Sequence, residues 1–207
     1  MNRITTHKSC LNLATWSEEG TYALGPGKRF ALWTQGCLKR CQGCVSPEFQ
    51  DLKPAHLVEV DALISWLSTR MDFEGITISG GEPFLQATHL AQFLQQIRLN
   101  REDLTVIVFT GFRLEELDWP EAQSLLQWID LLIDGVFVEQ QTSEIGLRGS
   151  DNQRFHYLTE RLLPWKTEIE QGERIREIQY INQTIFPIGI PPKAGILGDL
   201  FTNSIDV

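Results

Sequence analysis

Cysteine is scarce in this chain, with four among 207 residues, and long apolar runs are missing altogether. Four cysteines are too few for the disulfide framework of a small secreted domain. The first residues lack the apolar stretch of a signal peptide, and no apolar run approaches the roughly 20 residues that span a membrane. These absences predict a cytoplasmic location and exclude a membrane-embedded function.

Basic residues are also in deficit, since 18 Lys and Arg stand against 27 Asp and Glu, for a formal net charge of -9. Neutralising a phosphate backbone requires a basic face, so a nucleic-acid partner is not expected. One local exception interrupts the acidic composition. It consists of Lys28, Arg29, Lys39 and Arg40, which are grouped around the segment that contains the cysteines at 37–44.

What the chain does contain is a cluster of three cysteines within eight residues, Cys37, Cys41 and Cys44. Soft thiolates at this C-x3-C-x2-C spacing converge on one metal centre. Three thiolates can ligate three corners of an iron–sulfur cube, whereas a structural zinc site requires four protein ligands. Spacing alone therefore favours iron–sulfur chemistry and leaves zinc open. The candidates for a fourth zinc ligand are Cys10, His7 and His56.

Apolar periodicity alternates strands with helices, a rhythm typical of parallel βα units in a single domain covering residues 1–207. Beyond about residue 145 the pattern is less regular. There Pro164 interrupts a short helical pattern, and 174–180 is consistent with a strand. The predicted strands are 30–33, 75–79, 104–109 and 131–133, and the predicted helices are 57–70, 90–97 and a short one closing at 125–129.

The strand at 75–79 runs into Gly80-Gly81-Glu82-Pro83. A double glycine lets the backbone approach a ligand closely, and the crevice beyond parallel strand ends is where α/β proteins bind small molecules. Alone, the same residues fit a turn and a helix start, with Glu82 near the helix N-terminus and Pro83 in its first position. The combination with the cysteines favours a binding site.

Together the two motifs resemble the radical S-adenosylmethionine superfamily, whose hallmark is C-x3-C-x2-C followed by Gly-Gly-Glu-Pro after the next barrel strand. The nearer resemblance is to glycyl-radical-enzyme activases, particularly those of anaerobic ribonucleotide reductase. This resemblance covers about residues 28–158. Three further stretches carry it: Gly36 and Gly43 beside the cysteines, 132–135, and 147–154.

The resemblance implies an open, partial (β/α)6 barrel of about six parallel strands, with the site at their carboxyl ends. It implies an oxidoreductase in which Cys37, Cys41 and Cys44 hold a [4Fe-4S] cluster that cleaves S-adenosyl-L-methionine to a 5′-deoxyadenosyl radical. The implied partners are a glycyl-radical enzyme and a flavodoxin or ferredoxin as electron donor. The implied cofactor-binding residues are Gly43, Val45, Gly80, Gly81, Glu82, Thr110, Gly111, Arg148, Ser150 and Asn152.

Two other functions stay open from the sequence. A stand-alone radical enzyme acting on a peptide or small molecule would carry the same motifs, and a non-catalytic module would keep the cysteines without needing Gly-Gly-Glu-Pro. Gly43 and Val45 stand where many relatives have an aromatic residue, so the substrate is not identified. Because flavodoxins and ferredoxins are typically acidic, the four basic residues predict their docking face.

Overall fold

The computed structural model describes residues 9–181 and 184–191. It contains a seven-stranded sheet, a separate two-stranded hairpin and four α-helices. The sheet consists of β1 (Cys10–Thr21), β2 (Arg29–Thr34), β3 (His56–Glu59), β4 (Gly75–Gly80), β5 (Thr105–Thr110), β6 (Leu131–Asp134) and β7 (Arg154–Tyr157). The hairpin is β8 (Glu177–Ile181) with β9 (Thr184–Ile188), and the helices are α1 (Val60–Ser68), α2 (Ala87–Asn100), α3 (Pro120–Leu126) and α4 (Lys166–Gln171).

The strand order is β3-β1-β2-β4-β5-β6-β7. The central strands β2, β4, β5 and β6 are parallel, which confirms the α/β class. The sheet is open, as expected, with β3 and β7 at its edges. The expectation of about six parallel strands is wrong, because β1, β3 and β7 pair antiparallel with their neighbours. For β1 and β7 the connections explain this, because the one from β1 to β2 is short and the one from β6 to β7 contains no α-helix, whereas parallel pairs need a long crossover that is usually an α-helix.

The predicted helix at 57–70 begins only at Val60. Residues 57–59 belong instead to β3, where Leu57 pairs with Asn12 of β1 and is 63% exposed. The sequence pattern also gave no element before residue 30, although β1 is the longest strand of the sheet. Pairing between β1 and β3 is a tertiary interaction, and it overrides a local apolar spacing that fits a helix.

The two faces of the sheet are covered by different parts of the chain. Alternate strand residues such as Leu32, Ile78 and Val108 pack with helices α1 to α3 in the main core. On the other face, Ala31 and Trp33 pack with the hairpin, and Ile133 packs with the segment that follows β7. In the part of the chain that is described, no helix is long and apolar enough to span a bilayer.

Candidate functional site

The cysteines lie on a loop, residues 36–50, that leaves the carboxyl end of β2 and ends in a 3-10 turn, Pro47–Gln50. Its two legs are joined by backbone hydrogen bonds. The Gly36 N–H donates to the Phe49 carbonyl at 2.8 Å, and the Cys37 N–H donates to the Gln50 carbonyl at 3.2 Å. We call these four residues the neck of the cysteine loop.

All three cysteines, Cys37 in the neck and Cys41 and Cys44 beyond it, are half-buried. The chain turns tightly there, with left-handed φ angles of +48° at Arg40 and +69° at Gly43. Burial raises the pKa of the Cys37 thiol, while backbone N–H groups of Lys39 and Arg40 directed at its sulfur act in the opposite direction. Such N–H donors favour the thiolate, which is the form that binds iron.

The donor set fits an iron–sulfur cluster better than a single zinc ion. Within residues 9–181 and 184–191, no three His, Cys, Asp or Glu side chains are gathered closely enough to hold one metal ion. Zinc draws its four ligands to one atom, about 2.3 Å from each sulfur, whereas the thiolates of a cluster bind different irons. Of the alternative zinc ligands, His7 lies outside the described residues, His56 packs on Trp16 and Cys10 pairs with Glu59 on β3.

Gly80 and Gly81 hold the base of the cysteine loop. Gly80 has a φ of +110°, and a Cβ there would lie 2.3 Å from the Thr34 nitrogen. A Cβ on Gly81 would lie 2.3 Å from the Gly36 carbonyl oxygen, which also accepts a 2.8 Å hydrogen bond from the Glu82 N–H. The close approach that the double glycine predicted is therefore made to the chain's own backbone, and cofactor binding by these glycines stays a prediction.

Glu82 is buried, with 1% of its surface exposed. Its carboxylate accepts hydrogen bonds from the Phe84 N–H at 3.1 Å, the Thr110 hydroxyl at 2.7 Å and the Gly111 N–H at 2.8 Å. Burial raises the pKa of Glu82, and these donors together with the more distant Lys39 offset part of the rise. Among the residues with described positions, no Lys, Arg or His nitrogen lies within 4.0 Å of this carboxylate, so its close partners are all neutral.

Lys39 connects the cysteine loop to the end of β5, a role the sequence analysis missed. Its Nζ lies 3.7 Å from the Phe112 ring centroid and 3.8 Å from Glu116 Oε2. Its Cγ lies 2.9 Å from where a Cβ on Gly111 would be. Together with the Glu82 bonds to Thr110 and Gly111, these contacts bring the cysteine loop and the ends of β4 and β5 into one site.

The predicted basic group around the cysteines is wrong for two of its four members. Lys28 and Arg29 lie at the amino end of β2, roughly 20 Å of strand away from the loop. There Lys28 pairs with Asp72 at 2.8 Å, and the fully buried Arg29 donates to Thr77. On the loop itself, Lys39 is committed to Phe112 and Glu116, which leaves Arg40 as the exposed base.

Asp134, at the end of β6, is fully buried among cations. Both of its oxygens accept hydrogen bonds from Arg154, His156 Nε2 lies 3.0 Å away, and Arg113 Nη1 lies 3.6 Å away. Burial raises the pKa of Asp134, but the bonds from Arg154 and Leu114 and the nearby charges outweigh it and hold the pKa below its usual value. This carboxylate joins β6 to β7.

Arg148, Ser150 and Asn152, which were predicted to bind the cofactor, make contacts within the segment between β6 and β7. The Ser150 hydroxyl accepts from the Val138 N–H at 3.1 Å, Asn152 donates to the Val136 carbonyl at 2.8 Å, and Arg148 pairs with Asp151 at 3.0 Å. The same segment reaches the cysteine loop through Glu139, a residue that no sequence pattern singled out. A Cβ on Gly43 would lie 2.8 Å from the Glu139 carboxyl carbon, while neighbouring Val45 is 53% exposed.

The sequence of this chain is similar to those of known proteins. The family described as a 4Fe-4S single cluster domain matches residues 23–156. The anaerobic ribonucleoside-triphosphate reductase-activating protein of Vibrio cholerae is 35% identical over 143 residues, covering 65% of this chain and 91% of that protein. The proteins with the same name from Haemophilus influenzae and Escherichia coli K12 are 33% identical over 139 residues and 32% identical over 141 residues. They cover 64% and 65% of this chain, and 89% and 91% of their own lengths.

Proposed function

The chain belongs to the 4Fe-4S single cluster domain family, as its resemblance to the glycyl-radical-enzyme activases of the radical S-adenosylmethionine superfamily predicted, and from this premise we propose an activase function. In this proposal Cys37, Cys41 and Cys44 hold the [4Fe-4S] cluster. The loop offers three thiolates, so such a cluster would have one iron available to S-adenosylmethionine. Once reduced by an electron donor, the cluster would supply one electron for cleavage of the sulfonium carbon–sulfur bond, which would yield methionine and a 5′-deoxyadenosyl radical able to take a hydrogen atom from the substrate protein.

The observation that carries the proposal is the position of Glu82. A buried carboxylate with only neutral close partners is costly unless a cation completes its surroundings. The methionyl ammonium group of S-adenosylmethionine would supply that cation, beside the loop that carries the cluster ligands. A purely structural metal site would give no reason to keep such a carboxylate next to it.

The remaining predicted residues have supporting roles in this proposal. Thr110 and Gly111 fix the Glu82 carboxylate and border the nucleoside side of the cofactor, next to Lys39. Gly80 and Gly81 hold the cysteine loop against β4, and the exposed residues Gly43 and Val45 would contact the cofactor. Arg148, Ser150 and Asn152 shape the segment through which a glycyl-radical enzyme would reach the site. The parallel strands β2, β4, β5 and β6 form the central part of the proposed partial barrel.

Anaerobic reconstitution tests the cluster assignment. We expect about four irons per chain and the broad absorption of a [4Fe-4S] cluster, and we expect Cys37→Ala, Cys41→Ala and Cys44→Ala each to abolish it. Cys10→Ala is the matched control and should retain the cluster. Stoichiometric zinc after anaerobic purification, with no cluster after reconstitution, would contradict the assignment.

The activase step is tested with the holoprotein and dithionite as reductant. We expect cleavage of S-adenosylmethionine to 5′-deoxyadenosine, and a glycyl radical detectable by electron paramagnetic resonance when anaerobic ribonucleotide reductase from the same organism is added. Cleavage without any radical on the reductase would instead favour the stand-alone radical enzyme.

The electron donor in this proposal is a flavodoxin or ferredoxin, and the exposure of Arg40 on the cysteine loop supports docking at that residue. Opposite charge at a docking face raises the association rate, most strongly at low salt. Arg40→Glu should slow flavodoxin-driven turnover and leave dithionite-driven turnover near the wild-type rate. An equal loss with both reductants would mean that the substitution damages the cysteine loop and would rule out docking at Arg40.

A further inference from the structure

The hairpin formed by β8 and β9 lies beyond residues 23–156, the part of the chain that matches the family. Specific hydrogen bonds dock it on β1 and the turn that follows. Gln179 accepts from the Ser17 hydroxyl at 2.6 Å and donates to the Gly20 carbonyl at 2.7 Å. Glu177 accepts from the Tyr22 N–H at 2.8 Å. The hairpin is thus a fixed part of the sheet surface.

One side chain of the hairpin packs against both legs of the cysteine loop. The Phe186 ring lies edge-on to Trp33 at 5.1 Å and stacked over Phe49 at 6.3 Å between ring centroids. Trp33 is in β2, four residues before Cys37. Phe49 is in the neck, and its carbonyl oxygen accepts the Gly36 N–H. Phe186 therefore bridges the strand that leads into the loop and the turn that leads out of it.

The cysteine loop has little core of its own. In the 3-10 turn that ends it, Phe49 is the buried residue. Phe49 belongs to a small core cluster with Trp33 and Ile188 of β9, which is 2% exposed. Packing of aromatic rings at centroid separations of 5 to 7 Å stabilises such a contact beyond the area that it buries. The burial of Phe49, and with it the neck, depends on the hairpin.

We propose that the β8–β9 hairpin supports the cysteine loop, and that Phe186 is a positioning residue for the iron–sulfur cluster. The proposal rests on the proposed function insofar as Cys37, Cys41 and Cys44 bind that cluster. Phe186 acts through Phe49 and Trp33 and itself touches neither iron nor substrate. Cluster retention is sensitive to how firmly the residues around the ligands are held.

The first test uses the apoprotein and needs no cluster. Hydrogen exchange is measured at the Gly36 and Cys37 amides, which donate across the neck. Phe186→Ala should speed exchange at these two amides roughly three- to tenfold, the range expected for loss of an aromatic pair. Tyr180 lies on the opposite side of the same hairpin and is 74% exposed. Tyr180→Ala is therefore the matched control, and its Gly36 and Cys37 amides should exchange like those of wild type.

The second test measures cluster loss from the reconstituted protein in the presence of an iron chelator. Phe186→Ala should lose its cluster faster than wild type by a similar factor and shift the paramagnetic resonance spectrum of the reduced cluster. Phe186→Leu, which restores apolar volume, should recover part of the retention. Leu162→Ala controls for general destabilisation, because Leu162 is fully buried in a different cluster, beneath β5 and β6.

The outcomes separate the support role from the proposed function. A wild-type protein that takes up no [4Fe-4S] cluster would contradict the proposed function. Hydrogen exchange at the Gly36 and Cys37 amides of the apoprotein would still test whether the hairpin supports the loop. The support role would be overturned if the wild-type protein binds a normal cluster and Phe186→Ala shows the same hydrogen exchange at the neck and the same rate of cluster loss as wild type. Equally fast loss in Leu162→Ala would also overturn it, because retention would then follow overall stability alone.

Discussion

Glu82 and Asp134 are two buried carboxylates at the carboxyl ends of parallel strands in the same sheet. Their partners differ in charge. Glu82, just after β4, has neutral donors within bonding distance, and burial raises its pKa. Asp134, at the end of β6, is bonded to Arg154 and close to Arg113 and His156, and its pKa is lowered. Equal burial therefore accompanies opposite electrostatics.

The difference shows which carboxylate is available to a cationic ligand. Asp134 is already neutralised by the cations of its surroundings, so its charge stabilises the contact between β6 and β7. Glu82 is held in place by hydrogen bonds but lacks a close counter-ion in the part of the structure that is described. The sequence treats the two alike, since both follow a predicted strand and both adjoin a glycine.

The largest effect on stability and iron content is expected from a substitution at Gly81, the residue before Glu82. Gly81→Ala places a Cβ 2.3 Å from the Gly36 carbonyl oxygen, a backbone atom that cannot turn aside. We expect a cost of about 3 kcal/mol, the upper end for overpacking, and loss of most iron after reconstitution. Gly149→Ala is the control, because its Cβ would meet the Phe137 and Gln153 side chains at 3.2 and 3.3 Å. A Gly81→Ala protein with full iron content would contradict this account of the glycine.

The comparison is tested next at Asp134. Asp134→Asn removes the charge that Arg154 and His156 contact, and we expect the free energy of unfolding of the apoprotein to fall by about 2 kcal/mol. This is below the range for a fully buried pair because Arg154 is partly exposed. Urea unfolding measures it. An unchanged unfolding midpoint would remove Asp134 from the stability of the β6–β7 contact.

Glu82→Gln should give the opposite pattern. Loss of a costly buried charge offsets the loss of the hydrogen bond from the Gly111 N–H, which would face the Gln NH2 group, so the free energy of unfolding should stay within about 1 kcal/mol of wild type. The affinity for S-adenosylmethionine should fall roughly tenfold or more, as expected for a charge-assisted hydrogen bond, with iron content retained. Equilibrium binding to the reconstituted protein measures this. Wild-type affinity in Glu82→Gln would refute cation recognition by Glu82.

The smallest effect is in pH dependence, and its sign differs between the two carboxylates. Because the pKa of Glu82 is raised, wild type should lose stability relative to Glu82→Gln as the pH rises above about 4.3, the ordinary glutamate value. Because the pKa of Asp134 is lowered, its advantage over Asp134→Asn should be present above about pH 3.9 and lost as the pH falls below it. Urea titrations of the apoproteins at several pH values measure both differences. Parallel curves would mean that the two sites do not differ in charge state.

The central strands and the position of the cysteine loop could be predicted from the sequence, because they depend on local patterns. Strand 75–79 became β4 with one more residue, and 104–109 became β5 shifted by one. The hydrogen bond between Glu82 and Thr110 joins residues that are 28 positions apart in the sequence. Parallel topology nevertheless predicts that the ends of their strands meet. The family match over 23–156 agrees with the residues that carried the resemblance, about 28–158.

The rest depends on contacts that no local pattern encodes. Lys39 and Arg40 are adjacent bases, but Lys39 packs on Phe112 because the loop turns there, and Arg40 remains exposed. Arg29 is an ordinary basic residue in the sequence but lies fully buried among hydrogen-bond acceptors at the far end of β2. Glu139 reaches Gly43 only after a long irregular segment has folded. Side-chain placement of this kind follows from tertiary packing.

The residues after β7 also set a limit on protein engineering. A shortened version, cut back to the segment shared with the activating proteins, would uncover Ala31 and Trp33 of β2 and Leu131 and Ile133 of β6, all on the same face of the sheet. Those side chains would form exposed apolar patches, and such patches promote aggregation. A minimal version of this protein would therefore need new polar residues at these positions, and removal of the C-terminal quarter alone would not yield one.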